Sequence, residues 1–187
     1  GLGDVYKRQF YEREGSPLKW HESLLGGWDM APGREFGSWL AISKKGRIGI
    51  LTNVLVPKPK PDGLARGKLV TEFAAGTASP EKYLQELPLD HFSEFNLSLI
   101  DLMGAHGIWM TSNTSTSKTD LAENAKYVMS NSRELNSEWP KAAKLRCNFD
   151  ELDLDRPKDE LVEKILELLE DDQSCGESAL IARLRGE

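Results

Sequence analysis

The sequence has few of the residues that mark secreted, membrane-spanning or metal-dependent proteins. Its 187 residues include two cysteines and three histidines. Two cysteines, Cys147 and Cys175, are too few for a disulfide scaffold, so we expect both to be free thiols in a reducing compartment. No run of about 18 apolar residues occurs, which argues against a membrane-spanning helix. The expectation is a soluble, cytoplasmic chain.

Motifs for metal binding and nucleophilic catalysis are also missing. His21, His91 and His106 have neither an HxxxH nor an HExxH spacing, and no paired Cys-x-x-Cys occurs, so no protein-built metal site is expected. A single histidine remains able to serve as an axial ligand to heme. Cys175 has no neighbouring base to activate it. The residues alone therefore define no catalytic constellation.

Basic charge is in deficit. The chain has 24 lysines and arginines against 30 acidic residues, which gives a formal net charge of −6. This balance opposes binding to a phosphate backbone, so we expect no nucleic-acid partner. Hydrophobic residues make up 39% of the chain and aromatic residues 8%. That composition is sufficient for the core of one ordinary domain.

The chain divides into three parts. Residues 1–9 lack a methionine start and any apolar periodicity, and we interpret them as a non-native leader. Residues 10–172 are predicted to form a single domain. Residues 173–187 are a tail without an assigned element.

Local patterns predict an α+β fold. Apolar, partly β-branched runs predict strands at 38–43, 47–52, 95–102, 107–111 and 127–130. Periodic spacing and N-terminal signals predict helices at 68–75, from Ser79 onward, from 139 to 149 and at 157–170, the last with a packed apolar face. Glycine, proline and small polar residues predict loops at 10–32, 54–62 and 113–124.

Several short motifs occur in the order found in the NRDE family, and on them we identify the chain as resembling that family. They span residues 10 to 152 and are Gly27-Trp28-Asp29-Met30, the hairpin from Gly33 to Asn53, Arg66-Gly67, Phe95-Asn96-Leu97, Met129-Ser130-Asn131-Ser132 and Trp139-Pro140-Lys141. The Asn-Arg-Asp-Glu motif, the Met-Cys start and the closing Tyr-Gly-Thr-Arg strands are missing. The resemblance therefore implies a fragment of a longer protein.

The resemblance implies an α+β fold of the N-terminal-nucleophile-hydrolase type. This fold is an αββα sandwich of two antiparallel sheets, here incomplete at both ends. In such enzymes an N-terminal Cys, Ser or Thr is the nucleophile and its own amine is the base, because an amine with a pKa near 8 can accept the proton. Gly1 has no nucleophilic side chain, so no catalytic residue is expected in this chain.

The function implied by the resemblance is non-enzymatic heme trafficking, linked to Golgi organization, secretion and mitochondrial and lipid homeostasis. Our first hypothesis is a carrier or chaperone for heme, or for a similar amphipathic small molecule, in the cytoplasm and at the Golgi or mitochondria. Heme would be cargo, and no intrinsic cofactor is expected. One alternative is an amide hydrolase whose nucleophilic Cys is missing here, with Asn53 or backbone N–H groups as oxyanion donors. Another is a scaffold in secretion that contacts proteins of membrane organelles.

Five residues in and just before the predicted hairpin are candidates for a ligand cleft. They are Trp28, Arg34, Phe36, Trp39 and Asn53. The aromatic rings would stack on a flat ligand, and the Arg34 guanidinium would pair with a carboxylate. The alternative is that Trp28 and Trp39 pack in the core, as aromatic residues beside strands commonly do.

Overall fold

The protein is a mixed α/β structure with an antiparallel sheet and, among the described residues, four helices. A computed structural model describes residues 14–54, 60, 63–104, 108–112, 115–118 and 126–169. The chain separates into two compact units, residues 1–121 and 122–187. The predicted leader, most of the predicted 54–62 connector, His106, Cys175 and the tail lie outside the described residues.

The first unit is built on an antiparallel sheet in which each described strand pairs with the next one along the chain. The strands are β1 (Gly15–His21), β2 (Leu24–Asp29), β3 (Leu40–Ser43), β4 (Arg47–Asn53), β5 (Phe95–Asp101), β6 (Ile108–Ser112) and β7 (Ser115–Lys118). The predicted hairpin of β3 and β4 is confirmed, with Ile42 opposite Ile48. The antiparallel α+β class is confirmed as well, whereas a second sheet remains a prediction.

The prediction of a loop over residues 10–32 is wrong where β1 and β2 lie. Gly26 does not interrupt β2, because it leaves room for a neighbouring ring: a Cβ there would lie 3.0 Å from Trp28 Cη2. Pro17 is tolerated where the β1–β2 register shifts, between Ser16 and Lys19, as proline is at a bulge. The predicted 113–124 loop is likewise wrong at β7.

Two helices follow β4 and cover one face of the sheet. The helix α1 (Gly67–Ala75) buries Leu69, Val70, Phe73 and Ala74, and α2 (Pro80–Glu86) buries Leu84. A 3₁₀ turn at Leu89–His91 leads into β5. The helix α1 comes close to β4, since a Cβ at Gly49 would lie 3.0 Å from the Val70 carbonyl oxygen. Glycine at this position therefore permits the contact between helix and sheet.

A buried arginine connects the sheet to both helices. The Arg47 side chain, 6% exposed, forms an ion pair with Asp101, with Nη1 and Oδ2 3.0 Å apart. Its Nε donates to the Phe73 carbonyl at 3.0 Å and its Nη2 to the Ala78 carbonyl at 2.6 Å. The guanidinium also lies 4.0 Å from the centroid of the Phe73 ring. Arg47 thus satisfies carbonyl groups at the end of α1 and just before α2.

The second unit contains α3 (Pro140–Asp150) and α4 (Lys158–Leu169). The strand predicted at 127–130 is wrong, because these residues are irregular. The Val128 amide donates to Asn136 Oδ1 at 2.8 Å, and the Asn136 amide returns a bond to the Val128 carbonyl at 2.9 Å. A local side-chain bond has replaced the strand ladder.

The predicted packed face of α4 is only partly covered by the residues that the structure describes. None of the residues of α4 is buried. Leu161, Ile165 and Leu168 are half-buried, and Val162 and Leu166 are exposed. Cys147 in α3 is an exposed free thiol.

Candidate functional site

The predicted ligand residues lie at one end of the sheet in the first unit. Here β2 ends, β4 ends at Asn53, and β5 begins with Phe95 directly opposite Asn53. The loop of residues 30–39, which we call the site loop, crosses this end between β2 and β3. The Ser38 amide donates to the carbonyl oxygen of Gly67, the first residue of α1, at 3.1 Å. Antiparallel pairing thus brings together residues far apart in sequence.

The site loop has a fixed backbone. The Asp29 amide donates to the Gly37 carbonyl at 2.8 Å, and the Phe36 amide donates to the Asp29 carbonyl at 2.9 Å. The carboxylate Oδ1 of Asp29 accepts from the Ala31 amide at 3.0 Å. The Gly37 amide donates to the Arg34 carbonyl at 3.0 Å. These bonds close the loop on itself before any ligand is considered.

Two glycines bring the site loop against α1. A Cβ at Gly67 would lie 2.9 Å from the Ser38 amide nitrogen and 3.0 Å from the Gly37 Cα. Only a residue without a side chain allows two backbones to approach so closely. Arg34 and the start of α1 are therefore parts of one local structure.

Aromatic rings cluster beside the loop. The His21 ring lies 5.4 Å from the Phe36 ring and 6.2 Å from the Trp28 ring, measured between centroids. Trp28 is 4% exposed, whereas Phe36 is half exposed. The backbone of Phe36 has φ +62°, a left-handed conformation that is strained for a bulky residue. Trp28 is consequently a buried part of the site, whereas the ring of Phe36 is accessible to a ligand.

The buried face of Trp28 carries an unsatisfied donor. Its Nε1 is fully buried and has no hydrogen-bond partner in the part of the chain that the structure describes. A buried donor without an acceptor costs about 1–3 kcal/mol.

Two arginines lie near the N-terminal end of α1. Arg66 lies directly before the helix and donates from Nη1 to the Glu94 carbonyl at 2.7 Å. The pKa of Arg66 is lowered, first because burial disfavours the charged form and second because the positive charge of Arg34 is near. No acidic residue occupies the first turn of α1. The helix end therefore adds partial positive charge to that of the arginines.

The acidic residue of the site loop does not neutralise these arginines. The pKa of Glu35 is lowered chiefly by the backbone amides of Glu35 and Gly33, with a smaller contribution from Lys68. Its Oε1 accepts from the Gly33 amide at 2.9 Å. Glu35 is thus held within its own loop, and the site stays cationic.

Of the other two predicted residues, Trp39 ends the site loop directly before β3, and Asn53 is the last residue of the neighbouring β4. Trp39 is 52% exposed, and its carbonyl accepts from the Leu51 amide at 2.8 Å. Asn53 is half-buried on β4. Beside it, buried Asn96 donates from Nδ2 to Thr52 Oγ1 at 3.2 Å.

The structure thus brings Trp28 and Phe36 together through His21, and it brings the loop that holds Arg34 to the start of α1, near Arg66. Sequence reasoning missed Arg66 and His21 as site residues. The Arg66-Gly67 pair before a helix was a usable signal for the first. His21 gave none, because its position depends on the pairing of β1 with β2. Within the described ranges, no group of three or more His, Cys, Asp or Glu could hold a metal ion.

The fold and this surface define a mixed α/β protein whose antiparallel sheet presents cations and aromatic rings at one end. Comparison with known proteins gives the family. The sequence model of Transport and Golgi organisation 2 matches residues 8–185. The chain belongs to this family, which confirms the NRDE resemblance.

Curated relatives carry the same description. The mouse Transport and Golgi organization 2 homolog is 29% identical over 161 residues, which cover 82% of this chain and 58% of the relative. The human homolog is 30% identical over 161 residues, which cover 82% of this chain and 58% of the human protein. The bovine homolog is 28% identical over 176 residues, which cover 89% of this chain and 63% of the bovine protein. The chain thus spans about three-fifths of the length of these relatives.

Among the described residues, no helix combines the length and apolar character needed to cross a membrane.

Proposed function

We propose that this chain belongs to a non-enzymatic carrier of heme, or of a similar flat, amphipathic molecule with carboxylate groups. It would act in the cytoplasm and at the Golgi or mitochondria. The family supports a role related to transport and Golgi organization. The proposal of a ligand depends on one observation, which is that the site loop packs against the start of α1 through Gly37 and Gly67 and brings Arg34 near enough to Arg66 for its positive charge to lower the pKa of Arg66.

Neighbouring like charges favour the binding of an anion. Each guanidinium raises the free energy of the other, and an anionic ligand would relieve that repulsion. Arg34 has no carboxylate partner within the described residues, and the Nη1 of Arg66 is committed only to a carbonyl oxygen. Guanidinium groups bind carboxylates in a bidentate manner. Heme carries two carboxylates, which matches two arginines.

The aromatic side chains suit the flat part of such a ligand. Phe36 and Trp39 are 50% and 52% exposed, respectively, at the same end of the sheet as the arginines. Stacking of a planar ring on such side chains is favourable because it removes large apolar areas from water. The exposed imidazole of His21 lies 5.4 Å from the Phe36 ring, where it is available as an axial ligand to iron.

The first test is a titration of the 187-residue chain with heme and, separately, with metal-free protoporphyrin. We expect saturable binding of both, and Arg34→Gln or Arg66→Gln should weaken it at least about tenfold, since hydrogen bonds to charged groups contribute about 1.5–3 kcal/mol. The protoporphyrin dimethyl ester lacks free carboxylates. It should bind the unaltered chain about as weakly as protoporphyrin binds these arginine variants. Absorbance and tryptophan quenching report the binding.

Arg146→Gln is the matched control. Arg146 also donates from Nη1 to a carbonyl, that of Asn136, at 2.9 Å, but it lies in the second unit. This variant should bind like the unaltered chain. Equal weakening by Arg146→Gln, or equal affinity for the ester and the free acid, would contradict the proposed site. Circular dichroism establishes that each variant is folded.

We also propose that the sheet is one half of an αββα sandwich. Helix α1 packs on the face that contains Ala41 and Gly49. On the opposite face Leu40 and Ile50, which are directly paired, are 43% and 38% exposed. Apolar residues in the middle of a sheet are typical of a surface that another layer covers.

A further inference from the structure

A second surface lies at the end of the sheet opposite Asn53 and the start of α1, where the β1–β2 and β3–β4 turns lie and β5 ends. It consists of Trp20 on β1, Lys44 and Lys45 in the β3–β4 turn, and Leu102 and Met103 just after β5. We call these five residues the turn cluster. The candidate ligand site uses none of them.

Direct contacts hold the turns of this cluster together. The Leu102 amide donates to the Gly46 carbonyl at 3.0 Å. A Cβ at Gly46, which has φ +75°, would lie 3.1 Å from Met103 Cγ. The Lys44 amide donates to the carbonyl of Ser23 in the β1–β2 turn at 3.0 Å. The β1–β2 turn, the β3–β4 turn and the residues just after β5 therefore form one continuous surface.

The apolar side chains of the turn cluster face the solvent. Met103 is 82% exposed, Leu102 57% and Trp20 51%. Asp101 Oδ1 accepts from the amides of Met103 and Gly104 at 3.2 and 3.0 Å, and its Oδ2 pairs with Arg47. This carboxylate fixes the turn in a conformation that presents Leu102 and Met103 to the outside. Fixed, exposed apolar residues are typical of an interaction surface.

The charges of the cluster are positive. Lys44 and Lys45 are exposed, and in the part of the chain that is described neither has an ion-pair partner. The Lys44 Nζ lies 5.3 Å from the centroid of the Trp20 ring. The carboxylate of Asp101 is neutralised by Arg47, which leaves Glu22 in the β1–β2 turn as the acidic side chain of these turns. Positive charge is thus concentrated here on a chain of net charge −6.

We propose that the turn cluster docks on the surface of a membrane that contains anionic lipids. The surface of such a membrane has a layer of charged headgroups above the boundary of the acyl chains. Tryptophan, leucine and methionine side chains enter that boundary, and the ammonium groups of neighbouring lysines remain among the headgroups. Leu102 and Met103 insert, Trp20 lies at the level of the headgroups, and Lys44 and Lys45 pair with lipid phosphates or carboxylates.

Co-sedimentation of the 187-residue chain with vesicles tests this proposal. One set of vesicles is phosphatidylcholine alone, and the other contains about one-fifth phosphatidylserine. The chain should sediment with the anionic vesicles and not with the neutral ones. Lys44→Gln with Lys45→Gln should weaken binding about thirtyfold, roughly fivefold for each lysine. Leu102→Ser with Met103→Ser should weaken it about tenfold or more.

Matched substitutions elsewhere serve as the control. Leu154→Ser with Lys158→Gln removes an apolar side chain of similar exposure (49%) and a lysine from the second unit, and it should sediment like the unaltered chain. Failure to bind anionic vesicles would overturn the proposal, as would binding that the cluster variants leave intact. Light scattering measures whether the chain is a dimer. A dimer that becomes monomeric in Leu102→Ser with Met103→Ser would identify the turn cluster as a contact between copies of the chain, and this result would also overturn the proposal.

Discussion

Arg47 shows how one side chain can connect elements that are distant in sequence. It contacts Phe73 and Ala78, and it pairs with Asp101, 54 residues away. The surrounding groups provide acceptors for its donors, so that the buried charge is compensated. The sequence marks Arg47 only as the first residue of a predicted strand. Its role depends on how the end of α1 packs against β4, and local patterns do not specify that packing.

Substitution of Arg47 should therefore be costly. Arg47→Met keeps much of the apolar stem but leaves the half-buried Asp101 carboxylate without its partner, and we expect a loss of about 3 kcal/mol in the free energy of unfolding. Urea denaturation followed by circular dichroism measures it. Arg47→Met with Asp101→Asn should recover part of the loss, because the uncompensated charge is then removed as well. A loss below about 1 kcal/mol in the single variant would show that the pair contributes little.

Tyr83 should make stability depend on pH in the alkaline range. Its hydroxyl donates to the Leu69 carbonyl at 2.9 Å, and its pKa is raised by burial first and by the Glu72 carboxylate second. Below about pH 10, the ordinary pKa of tyrosine, both states keep the proton. Above that value the unfolded chain releases its proton first, so stability falls as pH rises.

Tyr83→Phe isolates this effect. The variant loses about 1 kcal/mol at neutral pH with the hydrogen bond, and its stability should then decline less steeply than that of the unaltered chain above about pH 10. Urea midpoints at several pH values between about 8 and 11.5 measure both slopes. Parallel slopes would mean that the Tyr83 proton is not the cause.

At the scale of elements, the helix α2 begins where its sequence indicates. Ser79 precedes Pro80, and the Ser79 Oγ accepts from the Lys82 amide at 3.2 Å. Ser79→Ala should cost about 1 kcal/mol, and Ser79→Asp should restore most of it, because aspartate also caps helix N-termini. Thermal unfolding of the three proteins provides the comparison. Equal stability of the alanine and aspartate variants would rule out a capping contribution.

The strands and helices differ in how well the sequence predicts them. The β3–β4 hairpin follows from short apolar runs around Gly46, whose φ of +75° suits a turn. The pattern fails for β1, because a strand with exposed residues along most of its length has no alternation to detect. At 127–130 the pattern predicts a strand that is not found, because the Asn136 side chain accepts the hydrogen bond of the Val128 amide. In each case the deciding partner lies elsewhere in the chain.

The same limit applies to the candidate site. Arg34, Phe36 and Trp39 were recognisable because they belong to a hairpin that resembles a known family. Arg66 is 32 residues from Arg34, and the tertiary contact of Gly37 with Gly67 brings the site loop to the start of α1. A site assembled from a loop and a helix end is not visible in local patterns, because its geometry is set by tertiary packing.

At the scale of the whole molecule, the proposed sandwich makes Ile50 informative. Ile50 lies on the face away from α1 and is 38% exposed. A cysteine at this position should react readily with a maleimide in this chain, and a second sheet should protect it in a protein of the relatives' full length. Mass spectrometry of both proteins, with native Cys147 as an exposed reference thiol, measures the difference. Equal reactivity would argue against a covering layer.

The order of the strands also affects how the protein is made. Each described strand pairs with the strand before it in the chain, so each new strand emerging from the ribosome has its partner already present. Among the described strands, β4 and β5 are separated by the longest segment, which contains α1 and α2. Neighbour-to-neighbour topology keeps contact order low and favours rapid folding. The sheet can therefore grow in step with synthesis, which limits the time during which apolar strands are open to aggregation.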